Sequence, residues 1–339
     1  MRMIPTSRRA QYPARFGVFL IAAVLVAGIA GCIYTPPSQN LEIRDWYDLD
    51  AVRFNLGGHH ILMNDLDSTT AGYEELASPR ANEGKGWEPI GAWPQVFTGS
   101  FNGQGYEIRD LFISRSKESF IGLFSYVSVG GVVKNLGVMN VDVTGHEGVG
   151  GLVGVNWQGA VSKCCSSGNV IGYYRVGGLA GSSAGAVSNS FSSANMDGVV
   201  FVGGLVGYNS DTLTNSYSTG SVTGNGNVGG LVGENDGTVS DSYCTGSVSG
   251  YGGAGGLAGF HLSLLGQGTV NASFWDIETS GQSNSAGGTG KATDEMQDMT
   301  TFSGAGWDIN GVDQPNDRNT GYVWNMVDGA TYPFLSWEA

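Results

Sequence analysis

Gly203-Gly204-Leu205-Val206-Gly207 is one of five Gly-Gly-Leu-(Val/Ala)-Gly pentapeptides in this chain. The copies lie at Gly150–Gly154, Gly177–Gly181, Gly203–Gly207, Gly229–Gly233 and Gly255–Gly259, at steps of 27, 26, 26 and 26 residues. A constant period of this length indicates one structural unit that stacks repeatedly. Such a unit holds two or three short strands and is too short for a β-α-β unit, which needs about 30 residues. The repeat therefore predicts an all-β fold, a parallel β-helix (β-solenoid) with coils of about 26 residues.

Aligned copies produce columns of like residues that would stack in successive coils. The aliphatic columns are Val149, Val176, Val202, Val228, Ala254; Leu152, Leu179, Leu205, Leu231, Leu257; and Val161, Val187, Leu213, Val239, Val270. A polar column runs Asn156, Ser183, Asn209, Asn235 and is broken by His261, and an aromatic column runs Cys165, Phe191, Tyr217, Tyr243, Phe274. We expect the aliphatic columns to form the interior. The alignment needs one extra residue near Trp157-Gln158 and five within His261–Gly268.

The remaining sequence predicts caps at both ends of the solenoid, because an exposed end would present unpaired strand edges. Residues 41–120 are predicted to form an N-terminal cap and the first coils, and residues 121–275 the regular solenoid. From Asp276 onward the period is lost. Trp307, Trp324, Tyr332, Phe334 and Trp337 crowd this last segment, and residues 276–339 are therefore predicted to be a C-terminal cap.

The N-terminus has the order of a targeting signal. Four arginines precede an uncharged run that leads through small residues to Cys32, as in a signal peptide. Ile29-Ala30-Gly31-Cys32 resembles the lipobox of bacterial lipoproteins, and the resemblance implies a signal peptide at 1–31, lipid on Cys32 and a flexible tether at 32–40. This would anchor the chain to the cell envelope, facing outside the cytoplasm. The alternative is an uncleaved anchor, since Phe16 to Tyr34 is 19 uncharged residues and about 20 span a bilayer.

The repeats resemble a known family. Gly203–Val222 and Gly229–Val248 are similar to GLUG repeats, whose hallmark is Gly-Gly-Leu-Val-Gly-x-Asn followed by an Asn-Ser-Tyr-Ser-x-Gly-x-Val-like stretch. The segment from Trp87 to Phe124 also looks like the region that precedes such repeats, so the resemblance covers roughly residues 41–275. It implies a non-catalytic β-solenoid, secreted or surface-attached. GLUG repeats also accompany the peptidase domain of some IgA-cleaving enzymes.

The charge of the chain argues against nucleic acid as a partner, and the spacing of its cysteines argues against disulfides. Without residues 1–31 the chain has 12 Lys and Arg against 30 Asp and Glu, a net charge near −18. Nucleic-acid binding needs clustered basic residues, so nucleic acid is not an expected partner. Cys164, Cys165 and Cys244 are expected to be unpaired, because Cys244 lies about three coils from the other two, ~14 Å at the spacing of neighbouring strands.

No catalytic or metal-binding motif stands out. Asp65 and Asp67 could place two carboxylates on one strand face, although a solvated loop is the plainer interpretation. His59, His60, His146 and His261 lack zinc spacing, and Gly150 stands where His146-Glu147 would need a second His for HExxH. We therefore predict no catalytic residues, no metal and no cofactor. A structural Ca²⁺ would suit the acidic surface, but no motif specifies its site.

Exposed aromatic residues are the remaining candidates for ligand contact. Trp157, Tyr173, Tyr174, Tyr208 and Tyr251 fall at turns, where they either stack on sugars or pack against neighbouring coils. The sequence predicts a lipid-anchored, non-enzymatic envelope solenoid for adhesion or for binding a glycan or surface protein. The alternatives are a carbohydrate-active β-helix enzyme, a polysaccharide lyase or glycosidase using Asp65 and Asp67, and a purely structural envelope spacer.

Overall fold

The computed structural model describes residues 40–261 and 268–338. Within them, 26 strands form one sheet wound into a parallel β-solenoid of about six coils, with about 26 residues in a regular coil. The predicted fold class is thus confirmed. The predicted signal peptide, the lipidation residue Cys32 and nearly all of the 32–40 tether lie outside the described residues.

Most strands of the solenoid have two to nine residues, and the two longest are Val132–Thr144 and Val153–Ile171. Strands β1 to β9 are Leu41–Ile43, His59–Leu62, Ser100–Asn102, Glu107–Arg109, Phe112–Ser114, Phe124–Val127, Val132–Thr144, Glu147–Gly150 and Val153–Ile171. Strands β10 to β18 are Tyr174–Gly177, Ala180–Ser188, Phe191–Ser192, Asn195–Asp197, Val200–Gly203, Val206–Asn209, Thr212–Thr214, Tyr217–Ser218 and Val222–Gly229. Strands β19 to β26 are Val232–Asn235, Thr238–Ser240, Tyr243–Cys244, Val248–Gly255, Ala258–His261, Thr269–Asn271, Phe274–Asp276 and Thr289–Lys291.

A separate three-stranded sheet and several short helices complete the described structure. Strands β27 to β29 are Ile309–Gly311, Trp324–Met326 and Phe334–Leu335. The α-helices α1 to α5 are Trp46–Ala51, Tyr73–Leu76, Ile277–Ser280, Thr293–Met296 and Met299–Gly304, and two 3-10 helices are Val52–Phe54 and Ala81–Gly84. None of the helices in the described ranges has the length and apolarity to cross a bilayer.

The register of the coils matches the predicted columns. Val176 pairs with Val202, which pairs with Val228, and every residue of the leucine column is at most 1% exposed. In that column the Leu205 amide donates to the Leu231 carbonyl at 2.9 Å. Stacked aliphatic columns bury apolar area continuously along the axis, and this burial is the main stabilising contribution of the coils.

Both insertions inferred from the alignment appear in the register. Trp157 pairs with Ala184 at a step of 27 residues, whereas Ala160 pairs with Ala186 at 26, so the extra residue lies between them. Asn235 pairs with His261, while Thr238 pairs with Thr269, which places five extra residues between the two partners. Most of that second insertion, residues 262–267, is outside the described part of the chain.

The paired glycines of the repeat stand at a corner where coils come into direct contact. A Cβ atom at Gly204 would collide with the carbonyl oxygen of Gly230 in the next coil, and one at Gly203 would collide with that of Val206. The motif is therefore a packing device, because only glycine permits this approach between backbones.

The Asn-Ser-Tyr triplet of the repeat forms a second corner, and each residue type has its own role there. Asn189, Asn215 and Asp241 adopt left-handed backbone with φ of 49°, which Asn and Asp tolerate better than most residues. The following serines form a buried ladder in which the Ser190 amide donates to Ser216 Oγ at 3.2 Å. The same contact recurs from Ser216 to Ser242 and from Ser242 to Ser273. The ladder satisfies amides that the corner would otherwise leave unpaired.

The C-terminal segment, from residue 276 onward, covers the end of the solenoid and also packs along its side. Strand β26 pairs with β25, and the Gly256 amide donates to the Asn284 carbonyl, so this part covers the last coil. Residues 292–338 instead pack along the side of the coils. There Trp337 Nε1 donates to the Asn189 carbonyl at 2.9 Å and Trp307 Nε1 donates to the Ala272 carbonyl at 2.7 Å. The sequence predicts a cap at the end of the solenoid and carries no sign of this lateral packing.

A second hydrophobic core lies under the lateral segment. The aromatic column stacks on the outer surface of the coils, with Phe191 to Tyr217 and Tyr217 to Tyr243 ring centroids 4.9 and 5.0 Å apart. Phe302, Trp307, Trp324, Met326 and Leu335 of the lateral segment are buried against this stack. The lateral segment therefore converts an aromatic surface into core.

Candidate binding cleft

A cleft of about 450 Å³ opens on the solenoid face formed by β6, β9, β11 and β15. Its lining is mostly aromatic and small: Phe120, Tyr126, Val155, Trp157, Arg175, Ser182, Ala184, Tyr208 and Ser210. We call it the aromatic cleft. Its size and its mixture of aromatic with few polar groups are typical of small-ligand sites.

Strand register sets the long dimension of the cleft. Tyr126, Val155, Ser182 and Tyr208 pair in turn, so they form one outward-facing column over four successive coils. The two tyrosines stand at its ends, and the smaller Val155 and Ser182 lie between them. The space left by these two side chains forms the floor of the aromatic cleft.

Two residues of the cleft hold an unfavourable backbone conformation. Phe120 and Arg175 have φ of 64° and 58°. The same register position holds Gly148, Asn227 and Gly253 in other coils, residue types that adopt left-handed backbone at lower cost, and it holds Phe201, with φ of 59°, in a further coil. Phe201 lies outside the aromatic cleft, so the left-handed conformation belongs to this corner of the repeat and does not by itself mark the cleft.

Two tyrosine rings and the carboxylate of Glu147 hold the guanidinium group of Arg175 in place. Its guanidinium carbon lies 4.7 Å from the Tyr208 ring centroid and 5.0 Å from that of Tyr174, within cation–π range. Its Nη1 lies 3.7 Å from Glu147 Oε1. These contacts fix the planar group at the side of the cleft.

Two polar atoms of the cleft residues are buried without a partner. Neither Ser182 Oγ nor Arg175 Nε makes a hydrogen bond within residues 40–261 and 268–338, and Ser182 is only 7% exposed. A buried unpaired polar group costs about 1–3 kcal/mol. Such groups are explained by a ligand or a bound water that supplies the missing contact.

Carboxylates surround one end of the cleft. The Tyr208 hydroxyl donates to Asp236 Oδ2 at 2.9 Å. Burial raises the pKa of Tyr208, and the hydrogen bond to Asp236 raises it further. Burial also raises the pKa of Glu234, with a further contribution from the charge of Asp236, whereas Arg175 lowers it. This end of the cleft therefore carries more negative than positive charge.

The structure brings together two of the five aromatic residues that the sequence singled out. Trp157, 48% exposed, and Tyr208 both line the aromatic cleft. Tyr173 instead stacks on His146 at 5.4 Å, Tyr174 packs against Phe201 at 4.8 Å, and Tyr251 is 97% exposed outside the cleft.

Sequence reasoning missed Phe120, Tyr126 and Arg175 as cleft residues. Tyr126 and Tyr208 belong to one column, but Val155 and Ser182 separate them and no like-residue column signals the relation. The left-handed column was readable in principle, since Phe120 and Arg175 align with glycine and asparagine in other coils.

The two aspartates considered for catalysis have structural contacts. Asp65 Oδ1 accepts a hydrogen bond from the Glu107 amide at 2.9 Å, and Asp67 Oδ1 accepts from the Thr69 amide at 2.8 Å. Hydrogen bonds from the Thr69 hydroxyl and amide lower the pKa of Asp67. A general acid near neutral pH needs the opposite shift, so these contacts give Asp67 the properties of a turn cap.

The histidines are dispersed. His60 is buried beside the Asn55 carbonyl at 2.9 Å, and burial lowers its pKa. His59 lies 2.8 Å from Ser100 Oγ, and His261 Nδ1 lies 3.0 Å from the Asn235 carbonyl oxygen. Over the described ranges, no three His, Cys, Asp or Glu side chains come together as metal ligands.

The cysteines behave as small buried residues. Cys164, Cys165 and Cys244 are free and buried, as the spacing predicts. Burial raises the pKa of all three thiols, that of Cys164 to about 12. They therefore remain protonated and are poor nucleophiles near neutral pH.

With these observations, the class of protein that the fold defines is a parallel β-solenoid with coils of about 26 residues. Residues 202–223 match the family model described as the GLUG motif. The matched segment is one coil of the solenoid and supports the resemblance found in the sequence.

Two curated relatives are similar to parts of the chain. Halomucin of Haloquadratum walsbyi is 33% identical over 152 residues, 43% of this chain and 2% of halomucin. A protein of Evansella cellulosilytica named as a Gly-rich membrane protein is 41% identical over 108 residues, 31% of this chain and 12% of that protein. The chain thus spans a small fraction of the length of these relatives.

A solved structure shares the fold. A Bacteroides ovatus protein described as an immunoglobulin A1 protease superposes with a TM-score of 0.51 at 18% identity, over 88% of this chain and 92% of that chain. At this identity the likeness concerns the fold alone.

Proposed function

We propose that the protein is a non-catalytic β-solenoid of the cell envelope that binds a glycan in the aromatic cleft. The proposal rests on two kinds of group that line the same cleft. They are three aromatic side chains and two buried polar atoms without hydrogen-bond partners, namely Tyr126, Trp157 and Tyr208 with Ser182 Oγ and Arg175 Nε. A sugar ring matches this combination, since its apolar face packs on aromatic rings while its hydroxyls donate and accept hydrogen bonds.

The size of the cleft favours a glycan over a protein ligand. Stable protein interfaces bury about 800 Å² on each partner. A cleft of about 450 Å³ lined by nine residues instead suits one or a few small polar units. A protein that contacts this site would have to present a single side chain or a sugar to it.

The envelope location rests on the sequence and on the names of relatives. The resemblance of Ile29–Cys32 to a lipobox, the net charge near −18 after residue 31, and similarity to proteins named halomucin and Gly-rich membrane protein all support display outside the cytoplasm. In this proposal lipid on Cys32 is the anchor. Cys32→Ser should abolish metabolic labelling with a radioactive fatty acid, and unchanged membrane retention of that variant would favour an uncleaved helix instead.

The enzymatic alternative has little support from the described acids. Asp65 and Asp67 hold backbone amides, and the pKa of Asp67 is lowered. We therefore expect no turnover of polysaccharides. The spacer alternative predicts that no glycan binds at all.

Binding of the purified full-length protein to a glycan array, followed by calorimetric titration of the best ligand, tests the proposal. Tyr208→Ala and Trp157→Ala should each weaken binding about tenfold, the equivalent of one lost aromatic contact. Tyr251→Ala is the matched control, because this tyrosine is exposed and lies outside the cleft. Equal affinity for all three variants, or release of shorter glycans during incubation, would contradict a non-catalytic cleft site.

A further inference from the structure

The shape and charge of the aromatic cleft restrict its ligand. We infer, resting on the glycan binding proposed above, that the ligand is a neutral linear oligosaccharide of three or more sugar units that lies parallel to the solenoid axis. Length, charge and the positions of the unpartnered atoms each support this.

The aromatic side chains extend along the axis. Tyr126 and Tyr208 are three strand pairings apart, a distance of about 14 Å at the spacing of neighbouring strands. Trp93 continues the row beyond Tyr126, with ring centroids 6.1 Å apart, and is 72% exposed. A single sugar ring covers only part of this row, whereas a chain along the axis contacts both ends.

The charges disfavour an acidic ligand. Arg175 is the one cation among the nine lining residues, and Glu147 already pairs with it. Glu234 and Asp236 lie beside Tyr208 at the same end. A uronate or sulfate there would meet net negative charge, and like charges in a partly desolvated site repel.

The unpartnered atoms lie between the aromatic ends. Ser182 is on the floor, one coil from Tyr208, and Arg175 is packed against the Tyr208 ring. Ser182 Oγ can donate and accept, and Arg175 Nε donates. Uncharged hydroxyl groups in the middle of an oligosaccharide can form hydrogen bonds with both Ser182 Oγ and Arg175 Nε. The sugar rings on either side of them then stack on the aromatic side chains.

The test is calorimetric titration of the full-length protein with glucose, with β-1,4-linked gluco-oligosaccharides of two to six units, and with oligouronates of equal length. The same neutral and acidic series belongs on the glycan array. Affinity should rise about tenfold from one to four neutral units as a second aromatic contact is added, and the uronates should bind about tenfold more weakly than neutral chains.

Trp93→Ala separates this inference from the proposed function. It should weaken binding of four- to six-unit chains about tenfold and leave one- and two-unit ligands unchanged, whereas Tyr208→Ala should weaken every length. Neutral binding without dependence on length, or tighter binding of uronates, would overturn the inference and leave glycan binding intact. Failure of every glycan on the array to bind would overturn both.

Discussion

Two aromatic rows lie on the outside of the same coils and differ in what covers them. Phe191, Tyr217 and Tyr243 form a stack with parallel rings about 5 Å apart, in which residues 292–338 bury the two tyrosines and partly cover Phe191. Tyr126 and Tyr208, in the aromatic cleft, have Val155 and Ser182 between them and are open. The row that repeats in successive coils is covered and structural, whereas the interrupted row leaves room for a ligand.

The hydrogen bonding around the two aromatic rows also differs. In the buried stack the Tyr217 hydroxyl donates a hydrogen bond to Glu338 Oε2 at 3.0 Å. The cleft retains Ser182 Oγ and Arg175 Nε without hydrogen-bond partners. Such local costs are retained where binding compensates for them.

The largest expected effect is on the buried stack. Tyr243→Ala should lower the free energy of unfolding by about 3–5 kcal/mol, because it removes a ring that is 2% exposed and leaves a cavity between coil and lateral segment. Urea unfolding followed by tryptophan fluorescence measures this change. A loss no greater than that of Tyr208→Ala would mean that the two rows do not differ as described.

The next effect is on pH dependence. Burial raises the pKa of Glu338, in the lateral segment, from its ordinary 4.5 to about 7, while hydrogen bonds from the Leu335 amide and the Tyr217 hydroxyl lower it. As pH rises, the carboxyl group of Glu338 therefore loses its proton at a lower pH in the unfolded chain than in the folded one. Because of this difference, the free energy of unfolding should fall by about 3 kcal/mol between pH 4.5 and 7.

Glu338→Gln should remove this loss. The variant should be more stable than the wild type at pH 8 and equal to it at pH 4, as measured by urea unfolding at both values. Parallel pH profiles of the two proteins would show that Glu338 is not buried as the lateral packing requires.

A smaller effect is expected at the serine ladder beneath the stack. Ser216→Ala leaves the Ser190 amide unpaired and should cost about 1–3 kcal/mol of unfolding free energy. Ser193→Ala is the control, since Ser193 is exposed. Indistinguishable unfolding midpoints for the two variants would show that the serine ladder does not stabilise the corner.

The smallest stability effect should occur in the cleft. Tyr208→Ala should change the free energy of unfolding by about 1 kcal/mol or less, because the side chain is partly exposed and packs on no second layer. Thermal unfolding beside Tyr251→Ala provides the comparison. A loss approaching that of Tyr243→Ala would make Tyr208 a core residue.

Much of the fold could be predicted because it repeats. The Leu205 column, the aromatic column and both insertions follow from aligning copies of one pattern, since stacked coils place equal positions above one another. Contacts between regions without a common pattern could not be predicted in this way. No periodicity links Trp337 to Asn189, 148 residues apart, so the lateral packing of the last segment was not foreseen.

The candidate site was predictable only in part. Trp157 and Tyr208 could be named because the core columns do not use their positions, although both lie in strands and not at the predicted turns. Their convergence with Phe120, Tyr126 and Arg175 depends on side-chain directions across several coils, and these positions vary between copies. A repeat pattern describes what the copies share, whereas a binding site arises from residues that they do not share.

Hydroxyl-radical footprinting of the full-length protein, with and without a saturating neutral oligosaccharide, shows which of the two aromatic rows contacts the ligand. It reports the solvent access of individual aromatic side chains. We expect protection of Trp93, Trp157 and Tyr208, with Tyr251 oxidised equally in both samples and Tyr243 unreactive throughout. Protection confined to Tyr251 or other residues outside the aromatic cleft would contradict the assignment of the open row as the binding site.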